Sequence, residues 1–119
     1  MKKILALFAL FVATALAADI SGNWKGSAET PNGTVERTFV FKVDGHKLTG
    51  ETNSERFGKS TIEDGKVDGD DVSFSLTVNV QGTEGKVLYK GKVDGDTIKF
   101  KVELQALGQT LDMTATRVP

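Results

Sequence analysis

The sequence predicts an all-β domain, an eight-stranded antiparallel up-and-down meander closed into a small barrel. Three observations carry that reading. Apolar and polar residues alternate with period two in successive short runs, and seven turn signals separate those runs at near-regular spacing. No segment beyond the N-terminal leader carries the i, i+3, i+4 spacing of an amphipathic helix over a useful length.

The first element is not a strand. Lys2 and Lys3 precede a charge-free run over residues 4–16, and Ala15-Leu16-Ala17 supplies the small-x-small pattern of a signal peptidase site. The run is shorter than the ~20 apolar residues of a membrane-spanning helix. The expectation is a helical signal peptide over 1–17, cleaved to leave a single β-barrel domain over 18–119 with no membrane span. The protein is then exported, to the periplasm or the extracellular space. The chain has no cysteine, so neither a lipid anchor nor a disulfide framework is available. The hydrophobic core must hold the fold by itself.

The strands follow in order, the first beginning near Ile20. The second, from Thr34, places Val35, Arg37, Phe39, Phe41 and Val43 on one face. The third starts near Lys47. The fourth, over 60–67, loses its alternation at Glu63-Asp64-Gly65, where a bulge would return Val67 to the inner face. The fifth, from Asp71, is the most regular: Val72, Phe74, Leu76, Val78 and Val80 oppose Ser73, Ser75, Thr77 and Asn79. The sixth, from Lys86, carries Val87, Tyr89 and Val93. The seventh, from Thr97, sets Ile98, Phe100, Val102 and Leu104 against Lys99, Lys101 and Glu103. The eighth, from Gln109, carries Leu111, Met113, Ala115 and Arg117 on one face.

The turns are Pro31-Asn32-Gly33, Asp44-Gly45, Phe57-Gly58-Lys59, Asp68-Gly69, residues 81–85, Asp94-Gly95 and Leu107-Gly108. Asp-Gly and Asn-Gly accept the positive φ angles of tight hairpins. A Lys-Val-Asp-Gly core recurs at 42–45, 66–69 and 92–95, which fits successive similar hairpins rather than a solenoid. Eight half-apolar strands can close on themselves or stack as a two-sheet β-sandwich. Closure is favoured because it removes exposed edges, and a meander with short connections needs no Greek-key crossover.

Gly22-Asn23-Trp24, at the start of the first strand, resembles the G-x-W signature of lipocalins and other barrels of the calycin type, the avidin-like group included. The resemblance implies that the tryptophan packs at one closed end of the barrel, under a basic residue of the last strand. Arg117 is the residue here that matches, so Trp24 and Arg117 form the expected barrel-closing pair. A single tryptophan argues against the biotin site of the avidin-like group. The N-terminal arm of barrel-type protease inhibitors has no counterpart before the first strand.

Residues 18–119 hold 13 basic and 16 acidic residues, interspersed along the chain. That balance argues against a nucleic-acid partner, which requires a basic face. His46 is the only histidine, and it sits in a turn, so neither a histidine metal cluster nor a histidine-activated nucleophile is available. The aspartates of the 68–71 and 94–96 turns lack the distal bidentate acid of a calcium loop. No metal and no cofactor are expected.

Candidate site residues come from the inner face. Arg37 shares parity with Phe39 and Phe41, so it either anchors a carboxylate-bearing ligand or lays its stem inside with its head in water at the mouth. Tyr89 is a ligand contact or a core tyrosine with its own hydrogen-bond partner. Thr52 and Phe57 join them as further candidate contacts, Phe57 as a recognition tip or a lid in the 53–60 loop. Trp24 lines a pocket or plugs the barrel end. Gly26, Gly50 and Gly91 reflect either tight bending or space left for a ligand.

The leading functional expectation is a non-enzymatic barrel that binds a small hydrophobic, amphipathic or carboxylate-bearing ligand. The alternative is a protein-interaction or inhibitor-like module acting through its loops, with no partner identified. A carboxylate-based hydrolase is the third reading.

Overall fold

The computed structural model describes residues 18–31, 33–55, 58–80 and 82–119; the expected leader and Phe57 lie outside the described residues. Nine strand segments form one antiparallel sheet: β1 (Gly22–Thr30), β2 (Gly33–Asp44), β3 (Lys47–Ser54), β4 (Gly58–Thr61), β5 (Glu63–Asp68), β6 (Asp71–Val80), β7 (Thr83–Asp94), β8 (Thr97–Leu104) and β9 (Gln109–Arg117). A one-turn 3-10 helix over Gln105–Leu107 precedes β9. No helix among the described residues is long and apolar enough to cross a membrane.

The sheet closes. Successive strands pair except that β4 and β5 both pair with β3, and β1 pairs with both β2 and β9, in the latter case through Trp24↔Arg117, Gly26↔Ala115 and their neighbours. The architecture is therefore the up-and-down barrel, not the two-sheet sandwich. The expected fourth strand is divided. β4 pairs with the upper part of β3 (Glu51↔Thr61 to Ser54↔Gly58) and β5 with its lower part (Lys47↔Lys66, Leu48↔Gly65). Within β5 the register against β6 shifts between Glu63 and Lys66, and Asp64 takes a φ of 51°. This irregularity returns Val67 to the core, where it is fully buried.

Four strand starts differ from the sequence reading. β2 begins at Gly33 rather than Thr34, and the fourth strand at Gly58 rather than Ser60. β1 starts at Gly22 rather than Ile20, because Ile20 serves as a buried plug below the first strand. β7 starts at Thr83 rather than Lys86, since its ladder with β6 runs up to Val80↔Thr83.

The alternating residues form the core as their parity requires. Trp24, Phe39, Phe41, Leu48, Val67, Val72, Phe74, Leu76, Tyr89, Ile98, Phe100 and Met113 are all buried inside the barrel. Six aromatic rings make a continuous cluster. Phe74 stacks on Tyr89 at 4.7 Å, Phe39 on Phe41 at 5.3 Å, and Phe100 meets Tyr89 edge-on at 5.5 Å. Phe41 extends the cluster to Trp24 at 6.4 Å. Such offset and edge-on pairs add about 0.5–1.5 kcal/mol each beyond their buried area.

One end of the barrel carries the turns at 45–46, 69–70 and 95–96 together with both ends of the described chain. Residues 18–21 run across this end. Ala18 N–H donates to Gly69 O at 2.9 Å on the β5–β6 turn, and Ile20 O accepts the Trp24 indole N–H at 2.9 Å. The opposite end is the mouth, where the β1–β2, β3–β4, β6–β7 and β8–β9 connections lie.

Candidate functional site

At the closed end Arg117 lies across Trp24, its Cζ 4.6 Å from the ring centroid. All three of its side-chain nitrogens are engaged. Nη1 donates to Ser21 O at 3.0 Å, Nη2 to Asp19 O at 3.2 Å and Nε to Asp96 Oδ1 at 3.1 Å. The guanidinium thus ties the crossing segment, the last strand and the β7–β8 turn together over a fully buried indole. Asp19, Ser21 and Asp96 carry no periodic signal that would have singled them out as partners.

The other inward cation is different. Arg37 stands on β2 two residues nearer the mouth than Phe39, opposite Gly26 of β1, and retains only 5 % exposure. Its head does not reach bulk water as a snorkelling side chain would. It donates to the Thr52 hydroxyl on β3, which is itself buried. No carboxylate among the described residues comes within 4.0 Å of it, and those residues include every Asp and Glu of the chain. Arg37 is a buried cation with a hydroxyl partner and no counter-charge. Arginine cannot shed its proton to relieve that situation.

Tyr89, on β7, lies beside it. Burial pushes the Tyr89 phenol up from its ordinary value, and the Arg37 charge pulls it partly back. Ser54, also buried, ends β3 two residues above Thr52. Arg37, Thr52 and Tyr89 therefore meet in the mouth-side half of the barrel, Arg37 and Tyr89 as their inward parity implied. Above them, Val78, Leu104 and Leu111 are half-buried against the core, Val35 is half-buried, and Leu107 on the 3-10 turn is 67 % exposed. A polar cluster that can only donate to an anion lies beneath an apolar rim.

The inward glycines leave no vacant space. A Cβ on Gly26 would lie 2.9 Å from the Phe39 ring and 2.8 Å from Met113 Sδ, and one on Gly91 would lie 2.6 Å from the Phe100 ring. Neighbouring side chains already occupy those gaps. At Gly50 the cause is backbone approach, because a Cβ would lie 1.9 Å from Val40 O. Clefts of about 430 Å³ along Lys99–Lys101 and Asp112–Thr114, and of about 200 Å³ around Ser73–Ser75 and Leu88–Lys90, lie along paired strands of the wall, and neither is lined by Arg37.

One further cluster escaped the sequence reading. On the outer wall Glu63 accepts hydrogen bonds from Lys86 Nζ at 2.5 Å and Thr77 Oγ1 at 3.1 Å. These partners hold the Glu63 carboxyl below its ordinary range, the Lys86 bond being the largest cause, and Lys86 is raised in return. The loss of alternation at Glu63 marked the place but not the partners. Among the described residues no three imidazole, carboxylate or thiol groups gather where they could hold a metal ion.

No family model, curated protein or solved structure matches this chain. The closed eight-stranded antiparallel barrel fits the calycin type of fold in general outline.

Proposed function

We propose that the protein is an exported, lipocalin-like binding barrel that takes a small apolar or amphipathic ligand at its mouth and performs no catalysis. The observation that carries this reading is Arg37. An unpaired charge inside a protein costs several kcal/mol unless something compensates it, so folds do not retain one without use. A carboxylate arriving with an apolar body would neutralise Arg37, use the proton of the Thr52 hydroxyl and cover the rim of Val35, Val78, Leu104 and Leu111. The aromatic cluster fills the barrel towards Trp24, which favours a ligand seated shallowly, head inward and body at the rim.

Native mass spectrometry of the exported protein, purified from its own host without denaturation, tests this. The expected result is an additional small-molecule mass that disappears in Arg37→Met and weakens in Tyr89→Phe. A bare monomer mass in the wild type, with no small anion bound on titration, would move the weight to a module that works through its loops.

A further inference from the structure

Residues 18–119 hold more acid than base, yet the lysines are not spread evenly over the barrel. One outward row of cross-strand partners runs from β3 to β5 through Lys47↔Lys66, to β6 through Lys66↔Ser73, to β7 through Ser73↔Lys90 and to β8 through Lys90↔Lys101. Four exposed lysines and one serine thus stand side by side over five strands, a path of about 19 Å at the usual strand spacing. Lys92 and Lys99, also opposed and exposed, lie next to Lys90 and Lys101 on the closed-end side. Asp44 on β2 and Asp112 on β9 mark the two ends of the row.

Like charges placed directly opposite each other weaken a sheet, whereas opposite charges there support it. Lys47↔Lys66, Lys90↔Lys101 and Lys92↔Lys99 are all pairs of the unfavourable kind. Two of the six lysines are neutralised: Lys92 donates to Asp71 at 2.7 Å, and Lys101 lies 2.8 Å from Asp112. No carboxylate among the described residues, which include every Asp and Glu of the chain, comes within 4.0 Å of Lys47, Lys66, Lys90 or Lys99. Lys42, the other described lysine without such a partner, stands on β2 opposite Thr49 of β3. Elsewhere Lys25 lies 3.6 Å from Glu36 and Lys59 3.8 Å from Glu51. Uncompensated positive charge therefore collects along the row, at a cost to the sheet that carries it.

The acids nearby decide what fits. Asp64 and Asp68 on β5, Asp71 on β6 and Glu103 on β8 stand beside the row and not in it. A flat anionic surface such as a membrane would press against these carboxylates, and a plane touches few strands of a convex barrel wall. A line of anions can bend round the wall between them. Nucleic acid is disfavoured, because every aromatic ring among the described residues is buried, leaving none on which bases could stack. We propose that this row is a docking track for an anionic polysaccharide. Its charged groups meet Lys47, Lys66, Lys90 and Lys101 in turn, and Ser73 offers a hydroxyl between them. The contacts are between exposed lysines and anions, so the affinity is modest and salt-sensitive. The track lies on the outer wall, apart from Arg37 and the mouth.

Calorimetric titration of the exported protein with dextran sulfate, against uncharged dextran, tests this. Dextran sulfate is expected to bind and dextran not, with affinity falling steeply between about 50 mM and about 200 mM salt. Lys66→Gln/Lys90→Gln is expected to weaken binding about tenfold and to reduce the slope of log affinity on log salt by about two. It should melt no lower than wild type, because it relieves two like-charged pairs. Lys25→Gln/Lys59→Gln removes the same charge away from the row and should stay within about twofold of wild type. No binding of dextran sulfate at the lowest salt, or equal weakening by the two double variants, would overturn the proposal. So would tighter binding to phosphatidylglycerol vesicles or to oligo-dT than to dextran sulfate, since the wall would then serve a membrane or a nucleic acid. A lower melting temperature in Lys66→Gln/Lys90→Gln would overturn it too, by making those lysines part of what holds the fold.

Discussion

Arg117 Cζ lies 4.6 Å from the centre of the Trp24 ring, and the two residues are direct cross-strand partners where the last strand meets the first. Their contact closes the sheet and caps the core in one interaction. Arg117→Ala removes the cation from the indole face and three hydrogen bonds with it, and is expected to cost about 2–3 kcal/mol in urea unfolding. Arg117→Lys keeps the charge but not the fork of donors, so it should restore only part of that loss.

Arg37 is expected to behave in the opposite way. Arg37→Met replaces an unpaired buried charge with an apolar side chain of similar length, on the same face of β2 as Phe39. Stability should rise by about 1–3 kcal/mol while ligand binding is lost. A loss of stability would mean that the guanidinium holds the barrel together and is not reserved for a ligand.

The glycines should rank by what surrounds them. Gly50→Ala forces a methyl onto the Val40 carbonyl at a φ of 145° and should abolish folding, a loss of roughly 4 kcal/mol or more. Gly91→Ala overpacks against the Phe100 ring and should cost about 1–3 kcal/mol. Gly95→Ala, in a turn at φ 64° with open space around it, should cost only about 1–2 kcal/mol. Thermal melts of the three variants check the order.

The Glu63–Lys86 pair gives a pH signature. The Glu63 carboxyl is lowered from its ordinary 4.5, so its contribution exists above that value and is lost as pH falls through the lower folded pKa. Lys86 is raised from 10.5, so its share is present below that value and is lost as pH rises through the higher folded pKa. The melting-temperature difference between wild type and Glu63→Gln should therefore be constant across neutral pH and vanish as acid takes the pH down through the lowered folded pKa. The effect should be small and salt-sensitive, since the pair is exposed.

Most of the fold was legible because period-two alternation is an unusually direct record of which face a side chain takes. Val72, Phe74 and Leu76, or Ile98, Phe100 and Val102, declare the inner wall without reference to any partner. The Asp-Gly turns fixed most strand lengths in the same local way. The division of the fourth strand was legible as a break in parity. That no ladder joins β4 to β6 among the described residues was not, because whether β4 reaches β6 depends on the register of three strands at once. At the site, parity placed Arg37 and Tyr89 on the inner face. It could not say that Arg37 lacks a carboxylate, because that is a statement about every other acidic residue in three dimensions. Nor could it say that the glycine gaps are filled, since the Phe39 and Phe100 rings that fill them come from other strands.

Recognition of an anion by Arg37 separates a binding barrel from a module that works through its loops. Calorimetric titration with a saturated fatty acid and with the alcohol of the same chain length, on wild type and Arg37→Met, tests that directly. The wild type should bind the acid about tenfold or more tightly than the alcohol, and the preference should vanish in Arg37→Met. Equal affinity for acid and alcohol in the wild type, or a preference that survives Arg37→Met, would contradict it.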